Sequence, residues 1–326
     1  MKHKETILYQ HKAYKNLRNF FEMQGFIEVF TPILIKANTP DPFIDPVFVN
    51  CGNPNYKNWQ LHTSPELWLK KSLAQGFDKV FSLGKVFRDD ISTNHHLIEF
   101  TMLEWYRCHS LLDDLIEDCV AITTEIGKAW QSVSSISINM PKKFSVISVA
   151  ELFKQHADLD LDHILDRTND GDQYFLVKLL KDRQDYLGQN ADFMDAFFHI
   201  MLKYIEPVLK LDHATIIHRW PIQLAALSAP CSDDDRYCDR FEMYFNGLEI
   251  ANAYKECNDA QILRNRFIKD NKTRKSLNKP VFELDESFLE SVSLLPAMSG
   301  IALGVDRLMM SLAKKEHISQ IVFGAI

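Results

Sequence analysis

The sequence lacks long apolar runs and has few residues that break regular structure. Its 326 residues include only 11 Gly and 12 Pro, while 46% of them are hydrophobic and 25% are charged. No stretch approaches the ~18 consecutive apolar residues that a membrane-spanning helix requires. The charged start, MKHKETILYQ, has no apolar segment of the kind found in signal peptides. We therefore expect a globular protein of the cytoplasm.

Cysteine pairs with metal-ligand spacing and an excess of basic residues are also missing. The six cysteines form no CxxC pair, which predicts reduced packing residues. The neighbouring His95 and His96 have no partner motif nearby, so structural or solvated histidines are favoured over metal ligands. The net charge is −7, whereas a protein that mainly grips nucleic acid is usually basic. The one basic stretch, residues 264–279, is expected to be a solvated helix and its loop.

Helix and strand patterns alternate without the regular spacing of βαβ units. The first 24 residues predict an amphipathic helix, and helices are also expected over 110–130 and 193–210. LHTSPELWLKKSLAQGF predicts a capped helix, and FIEVFTP, KVFSLGKVFRDD, IEFTMLEWYRC and HATIIHRWPIQLAALS predict strands, the second and third joined by the polar loop 89–97. Because adjacent strands form hairpins, we predict an α+β fold with an antiparallel sheet flanked by helices.

A hairpin with two carboxylates is predicted around the turn Asn246-Gly247. The simplest register pairs Tyr244 with Glu249 and Glu242 with Ala251. Glu242 and Glu249 then project from one face. Oxygen ligands of this kind suit Mg²⁺, which proteins hold through one or two carboxylates together with substrate phosphates. Two glutamates on a solvent-facing surface are the alternative.

The predicted strand EFTMLEWY carries two different groups on one face. Alternation puts Phe100 at one end of that face and Glu104 with Tyr106 at the other. This arrangement suits an aromatic platform for a base and a carboxylate pocket for an amine. Arg88 in the facing strand could clamp a phosphate. A satisfied buried network without any ligand is the alternative.

An Asp-Arg pair stands where a C-terminal strand turns into a helix, in GIALGVDRLMM. Asp306 and Arg307 could be a helix-start aspartate with a neighbouring surface arginine. The alternative is an arginine held rigidly at an anion site.

Taken together and in this order, FRDD, EFTMLEWY, GLEIANAYKE and GIALGVDR give the chain a family resemblance. It resembles the catalytic domain of class II aminoacyl-tRNA synthetases, and within that class it looks like the lysyl branch. GFIEVFTP is similar to the family's first, dimer-forming motif. The resemblance covers nearly the whole chain and implies a single catalytic domain over residues 1–326, a homodimer, and the use of ATP and Mg²⁺.

The resemblance also implies roles for individual residues. The implied catalytic residues are Arg88, at the α-phosphate of ATP, and Arg307, at its terminal phosphate. The other implied ATP contacts are Asp89, Asp90, Leu97, Phe100, Glu249, Ile250 and Gly304. The implied lysine pocket consists of Ser64, Pro65, Glu66, Glu104, Tyr106, Asn252, Glu256 and Ala302. The implied metal ligands are Glu242 and Glu249. Asn252 can join its pocket only if a bulge or strand end lies near Ala251, because strict alternation puts it opposite Glu249.

The position of the first motif, at residues 25–32, implies that no anticodon-binding domain precedes the catalytic domain. This architecture is similar to the truncated lysyl-tRNA synthetase paralogues. These paralogues activate lysine, preferentially (R)-β-lysine, and transfer it to a lysine of elongation factor P. Ala302 stands where the lysyl-tRNA enzymes usually have Gly, which suits a β-amino acid. The resemblance thus implies an AMP-forming amino acid–protein ligase, with no membrane partner and with tRNA not the expected acceptor.

Two residues on the ATP side depart from the family pattern. Asp90 stands where Glu is usual, and Leu97 stands where Asn is usual. Two alternatives therefore stay open: a lysine-adenylate-forming enzyme with another acceptor such as tRNA, and a catalytically weakened paralogue that regulates. Four retained residues speak against the second, because a pure binding protein does not need all of them: Arg88, Glu242, Glu249 and Arg307.

Overall fold

A computed structural model describes residues 3–209 and 212–324. These residues form two compact units, the first from residues 1–140 and 255–326 and the second from residues 141–254. The expectation of one catalytic domain over the whole chain stays a prediction. None of the helices in the described ranges has the length and apolar character needed to cross a membrane.

The strands are given in chain order. They are β1 (Ile27–Glu28), β2 (Leu34–Ile35), β3 (Gln60–Leu61), β4 (Lys79–Phe87), β5 (Glu99–Cys108), β6 (Phe144–Ser148), β7 (Ala214–Pro221), β8 (Tyr237–Phe245), β9 (Leu248–Lys255) and β10 (Met298–Gly304).

The α-helices follow the same convention. They are α1 (His3–Met23), α2 (Glu66–Leu73), α3 (Leu112–Gln131), α4 (Val149–Leu152), α5 (Leu161–Asn169), α6 (Phe175–Asp182), α7 (Phe193–Ile200), α8 (Ala260–Ser276), α9 (Glu286–Val292) and α10 (Val305–Leu312).

In the first unit, β4 and β10 flank β5, and both run antiparallel to it. The short β1 joins β4 in parallel, so the predicted strand in FIEVFTP is much shorter than expected. Helix α1 covers this sheet, as its apolar pattern predicted, and its Phe21 stacks on Phe81 of β4 with the ring centroids 4.7 Å apart. The sheet thus presents β5 as a central strand that is paired on both sides from Met102 to Arg107.

In the second unit, β8 pairs antiparallel with both β7 and β9, and β6 lies parallel to β7. Phe153, Phe197 and Trp220 are among the large side chains that fill its core. Both units therefore combine helices with mostly antiparallel strands, which confirms the predicted α+β class.

Two further elements end earlier than expected, and the basic stretch is not solvated throughout. The helix expected over 193–210 is α-helical only to Ile200 and continues as a π-helix and a 3₁₀ turn, where Pro207 lacks an N–H group. Lys210 lies outside the described residues. The strand expected in HATIIHRWPIQLAALS ends at Pro221 for the same reason. The basic stretch lies in α8 and its loop, but Arg274 is fully buried and donates to Asp45 at 2.9 Å, so it is not solvated.

Candidate active site

A buried carboxyl stands at the centre of the first unit's sheet. Glu104 on β5 is 1% exposed and accepts hydrogen bonds from Tyr106 Oη at 2.6 Å and from Ser64 Oγ at 2.8 Å. Ser64 also accepts the backbone N–H of Glu66 at 3.0 Å and so stabilises the first turn of α2. The predicted helix start and the predicted face of β5 therefore meet at one carboxyl group.

Two further carboxylates, those of Glu66 and Glu256, share a lysine. Lys70 Nζ donates to Glu66 Oε1 at 2.5 Å and to Glu256 Oε2 at 2.6 Å, and it lies 5.5 Å from the centroid of the Tyr106 ring. We call the group formed by Ser64, Glu66, Lys70, Glu104, Tyr106 and Glu256 the amine pocket. The sequence analysis missed Lys70. It lies three residues after the buried Leu67 and three before the buried Leu73, so its place on the buried side of α2 was the available signal.

Strand β10 forms the floor of the amine pocket. Gly300 pairs with Tyr106, and Ala302 pairs with Glu104. A Cβ atom at Gly300 would lie 2.1 Å from Tyr106 Cε1 and 2.7 Å from Glu256 Oε1. No side chain larger than hydrogen fits there, because these distances are well inside van der Waals contact. Glycine at this position thus lets the Tyr106 ring and the Glu256 carboxyl lie directly against the strand.

Burial and crowding shift the pKa values in the amine pocket. Burial and the charge of Glu66 raise the pKa of Glu104 to about 8, against the lowering effect of its hydrogen bonds. Burial also raises the pKa of Glu256 to about 7, although the Lys70 ammonium opposes the shift. Burial alone would lower the pKa of Lys70, but the charges of Glu256 and Glu66 outweigh it and keep the lysine protonated. The pocket is therefore short of positive charge.

The predicted phosphate and base contacts of the first unit are adjacent. The Arg88 guanidinium lies 5.4 Å from the centroid of the Phe100 ring, and Arg88 Nε donates to the carbonyl oxygen of Thr63 at 3.4 Å. Since Thr63 immediately precedes Ser64, the arginine is fixed next to the start of the amine pocket. The structure thereby confirms the expected facing arrangement of Arg88 and the strand that carries Phe100.

The loop after Arg88 carries both departures from the family pattern. The backbone N–H of Asp89 donates to the carbonyl oxygen of Asp45 at 2.7 Å. Asp90 is exposed, and its carboxylate accepts a local bond from the N–H of Ile91 at 2.7 Å. Leu97 is half-buried and apolar. This loop is therefore mostly exposed.

The Asp306–Arg307 pair is more than a surface helix start. Gly304 is the N-cap residue of α10, and Asp306 is fully buried, with its Oδ2 atom accepting the N–H of Thr101 at 2.7 Å. Burial raises the pKa of Asp306. Arg307 Nε donates to the carbonyl oxygen of His95 at 3.2 Å. These contacts tie α10 to β5 and to the loop before it, which supports a rigidly held arginine.

In the second unit, the turn Asn246-Gly247 joins β8 to β9, and both residues have the positive φ angles, 56° and 75°, of the predicted turn. Tyr244 pairs with Glu249 as predicted, but the predicted pairing of Glu242 with Ala251 is wrong. Glu242 pairs with Asn252 instead.

The reason for this register is a bulge in β9. Met243 pairs with Ala251, and Tyr244 pairs with Glu249, so Ile250 has no partner across the ladder. The bulge that Asn252 required is thereby confirmed. It brings Asn252 to the face that carries Glu242, and its Nδ2 atom donates to Glu242 Oε1 at 3.3 Å.

Glu242 is buried in a network of donors. Arg240 donates to its Oε1 atom, and Tyr244 Oη donates to Oε2 at 2.7 Å. Burial first, and then the charge of Glu249, raise the pKa of Glu242 to about 7, against the opposing effect of Arg240. The two glutamates thus repel each other across one face of the hairpin, which a divalent cation would relieve.

The donor set of this hairpin fits Mg²⁺ in one specific way. Within the described residues there is no group of three or more His, Cys, Asp or Glu side chains that could hold a metal by themselves. Glu242 and Glu249 supply two carboxylates, which suits a Mg²⁺ ion that completes its shell with water and phosphate oxygens. The fit therefore depends on a phosphate ligand being bound as well.

Most of the predicted lysine-pocket residues come together in the first unit. They are Ser64, Pro65, Glu66, Glu104, Tyr106, Glu256 and Ala302. Asn252 belongs to the second unit, where its side chain donates to Glu242. The buried Ile250 owes its place to the bulge.

The sequence matches one family model over almost its entire length. Residues 1–324 match the model described as tRNA synthetases class II (D, K and N). Three similar proteins carry the name elongation factor P–(R)-β-lysine ligase. The protein of Proteus mirabilis is 32% identical over 328 residues, covering 97% of this chain and 94% of the relative. That of Baumannia cicadellinicola is 32% identical over 322 residues, covering 95% and 92%, respectively. That of Haemophilus influenzae is 30% identical over 328 residues, covering 99% and 95%.

Proposed function

Since the chain belongs to the class II tRNA synthetases (D, K and N), we propose that it is an ATP-dependent, AMP-forming ligase. It activates (R)-β-lysine or lysine and transfers it to a lysine side chain of elongation factor P. The observation that carries the proposal is the amine pocket, a group of three buried or half-buried glutamates with a single cation that bonds two of them. The names of relatives that align over nearly the whole chain support the same substrate and acceptor.

The amine pocket recognises the amino acid by charge. Glu104 and Glu256 bind the side-chain ammonium together with the Tyr106 hydroxyl, and Glu66 binds the other amino group. These carboxyl groups are expensive to bury without a counter-charge, so an ammonium ligand gains affinity by supplying one. Ser64 and Pro65 set the position of Glu66, and Ala302 contributes to the floor on which the substrate lies. Asn252 receives the substrate carboxylate in this proposal.

The first reaction is attack by the amino-acid carboxylate on the α-phosphorus of ATP. An oxygen–phosphorus bond forms to give the aminoacyl adenylate, and pyrophosphate leaves. Arg88 binds the α-phosphate and Arg307 the terminal phosphate, so both neutralise charge that grows in the transition state. Phe100 stacks on the adenine, while Asp89, Asp90 and Leu97 line the nucleotide side. Gly304 leaves room for the nucleotide.

Two glutamates of the second unit hold the metal that accompanies ATP. Glu242 and Glu249 are the proposed Mg²⁺ ligands, next to the nucleotide contact of Ile250. A Mg²⁺ ion held by these residues would supply positive charge to the phosphate oxygens. Tyr244 and Arg240 fix the Glu242 carboxyl through its two oxygens, so the ligand is oriented before any metal binds.

The second reaction transfers the amino acid to a protein. The ε-amine of an acceptor lysine attacks the adenylate carbonyl, an amide bond forms, and AMP leaves. Positioning and charge stabilisation are sufficient for both steps, and neither step needs a covalent bond to this chain. We further propose that the protein acts as a homodimer in the cytoplasm, where its acceptor takes part in translation.

The alternatives separate in two assays. Amino-acid-dependent ATP–pyrophosphate exchange is measured first with (R)-β-lysine, lysine and no amino acid. Purified elongation factor P and tRNA are then offered as acceptors of the labelled amino acid. We expect exchange to be higher with (R)-β-lysine than with lysine, and label to appear on elongation factor P.

Label on tRNA alone would overturn the proposed acceptor. An absence of exchange with either amino acid, in protein shown to be folded by circular dichroism, would favour the regulatory paralogue. The exposed Asp90 and the apolar Leu97 would then be the residues to revert first.

A further inference from the structure

Lys70 is the buried cation of the amine pocket, and the proposed reaction gives it no role. Its side chain is 2% exposed, and that of Glu256, to which it donates, is 1% exposed. Its other acceptor is Glu66, the residue proposed to bind the second amino group of the substrate. Both acceptors are thus residues that would otherwise be free to bind the substrate's ammonium groups.

Lys70 also changes the charge balance of the amine pocket. Glu66, Glu104 and Glu256 carry three negative charges when ionised, and Lys70 carries one positive charge. The remaining two negative charges match the two ammonium groups of a diamino acid. Without Lys70 the pocket would keep one uncompensated carboxylate after the substrate had bound, which is costly in a buried site.

The geometry shows that Lys70 also orients its partners. Glu66 and Lys70 lie four residues apart on α2, so the helix itself sets their separation. On the other side, Lys70 engages only Oε2 of Glu256. The Oε1 atom of Glu256 is buried and has no hydrogen-bond partner among the described residues. It lies against Gly300, where even a methyl group would collide with it. One oxygen is therefore held by the lysine and the other is left for a donor from a ligand.

We propose that Lys70 is a positioning residue that sets the charge specificity of the amine pocket. It neutralises one of three carboxylates and fixes Glu66 and Glu256 so that the pocket accepts an amino acid with two ammonium groups. The proposal rests on the proposed function, because it assumes that the pocket binds lysine or (R)-β-lysine. It adds a residue of the enzyme itself to the recognition of the substrate.

The test compares two neighbouring lysines on the same helix. Lys70→Met removes the pocket cation with a side chain of similar length. Lys71→Met is the matched control, because Lys71 pairs with Asp285 at 2.6 Å instead of with the amine pocket. For each protein, KM values for (R)-β-lysine, lysine and ATP are measured by pyrophosphate exchange. Amino-acid binding is also measured by calorimetry.

We expect Lys70→Met to raise the KM for both amino acids by about 30-fold, because a charged partner of two buried carboxylates is lost. The KM for ATP should change by less than about twofold, and Lys71→Met should leave all three values near those of the wild type. This split separates a role in the pocket from a general loss of structure.

The pH profile gives a readout that a purely structural role would not move. The ionisable groups facing Lys70 are Glu66 from α2, Glu104 and Tyr106 from β5, and Glu256. The paired β10 segment contributes none. Loss of the lysine charge favours protonation of the carboxyl groups, so the pH above which the amino-acid KM becomes constant should rise by about one unit in Lys70→Met.

The outcomes separate this proposal from the proposed function. If the wild type shows neither exchange nor binding with either amino acid, the proposed function has failed. If the wild type is active and Lys70→Met keeps its amino-acid KM and pH profile, the role of Lys70 is overturned and the proposed function stands.

Should Lys70→Met not fold, Lys70→Arg replaces it. This variant keeps the charge and moves the donors, so we expect the wild-type pH profile with an amino-acid KM raised about fivefold. An unchanged KM would overturn the positioning role.

Discussion

Each unit buries a cation beside a glutamate, and the two cations are held in different ways. Lys70 lies between Glu66 and Glu256 and donates a hydrogen bond to each carboxylate. Its ammonium group is a compact point charge, and its two hydrogen bonds hold side chains that are proposed to bind the substrate.

Arg240 of the second unit is fixed by the framework as well as by charge. It donates to Glu242 and, at 2.6 Å, to the carbonyl oxygen of Leu224. Its guanidinium lies 4.6 Å from the centroid of the Trp220 ring. A planar group with backbone and aromatic contacts has little freedom to move. Arg240 therefore stabilises the fold of its unit, whereas Lys70 is a component of the candidate ligand site.

The largest effect should follow removal of the cation that belongs to the fold. Arg240→Met should lower the free energy of unfolding by about 3–5 kcal/mol, because Glu242 would stay buried without its counter-charge and Leu224 would lose a donor. Urea denaturation followed by circular dichroism measures this change. Arg240→Lys is the control and should lose less. A stability equal to that of the wild type would show that Arg240 does not hold the fold and would break the comparison.

The next effect concerns the carboxyl of the amine pocket that Lys70 does not touch. Glu104→Gln should raise the amino-acid KM about 100-fold, since an ammonium ligand loses a buried charged partner. Stability should be retained, because the amide oxygen can still accept from Tyr106 or Ser64. Pyrophosphate exchange and a thermal melt measure the two quantities. A wild-type KM in this variant would mean that Glu104 binds no ammonium group.

The pH dependence of substrate binding should be smaller but still clear. With a pKa of about 8 for Glu104 and about 7 for Glu256, both groups hold protons near pH 6 in the empty pocket. An ammonium ligand must displace those protons, so affinity rises as pH increases and the groups ionise. We expect the amino-acid KM to fall at least about tenfold between pH 6 and pH 8.

Calorimetry in two buffers of different ionisation enthalpy checks the same point. Binding at pH 7 should release protons from the wild type and fewer from Glu104→Gln. A KM that stays constant from pH 6 to pH 8 would show that these carboxyl groups are already ionised.

The smallest effect is expected outside both cation sites, at the exposed loop. Asp90→Glu restores the longer carboxylate that the family pattern usually has, and it should lower the KM for ATP about twofold. The amino-acid KM should not change, because the Asp90 carboxylate is exposed and bonds locally to the N–H of Ile91. Steady-state exchange at varied ATP measures the effect. A change in the amino-acid KM instead would show that the loop reaches the other substrate.

Local patterns predicted the parts of the fold and site that depend on local geometry. Strand alternation placed Glu104 and Tyr106 on one face, where their side chains hydrogen-bond. The Asn246-Gly247 turn was predictable because a two-residue hairpin needs positive φ angles at both positions.

Features that depend on distant contacts could not be predicted in the same way. Lys70 and Glu256 are 186 residues apart, so no window of sequence shows that they form a pair. The local sequence predicted Arg274 to be part of a solvated basic helix. Its partner Asp45 lies 229 residues away, so nothing in the local sequence indicated that the arginine is buried. The role expected for Asn252 predicted a bulge or strand end near Ala251. The position of the bulge at Ile250 was not predictable, because it depends on the register with β8.

The bulge in β9 also determines which changes in length this hairpin can accept. Ile250 is one extra residue in a strand whose side chains alternate between two faces. Each residue that follows it in β9 therefore lies on the opposite face from the one that regular alternation would give. Many side chains could replace it, provided they are apolar, but losing the residue altogether would turn Asn252 away from Glu242. In most proteins, loops tolerate insertions and deletions, whereas buried positions are sensitive to substitution. At this position the reverse holds: the number of residues in β9 determines the face on which Asn252 lies, and the identity of the side chain at Ile250 matters less.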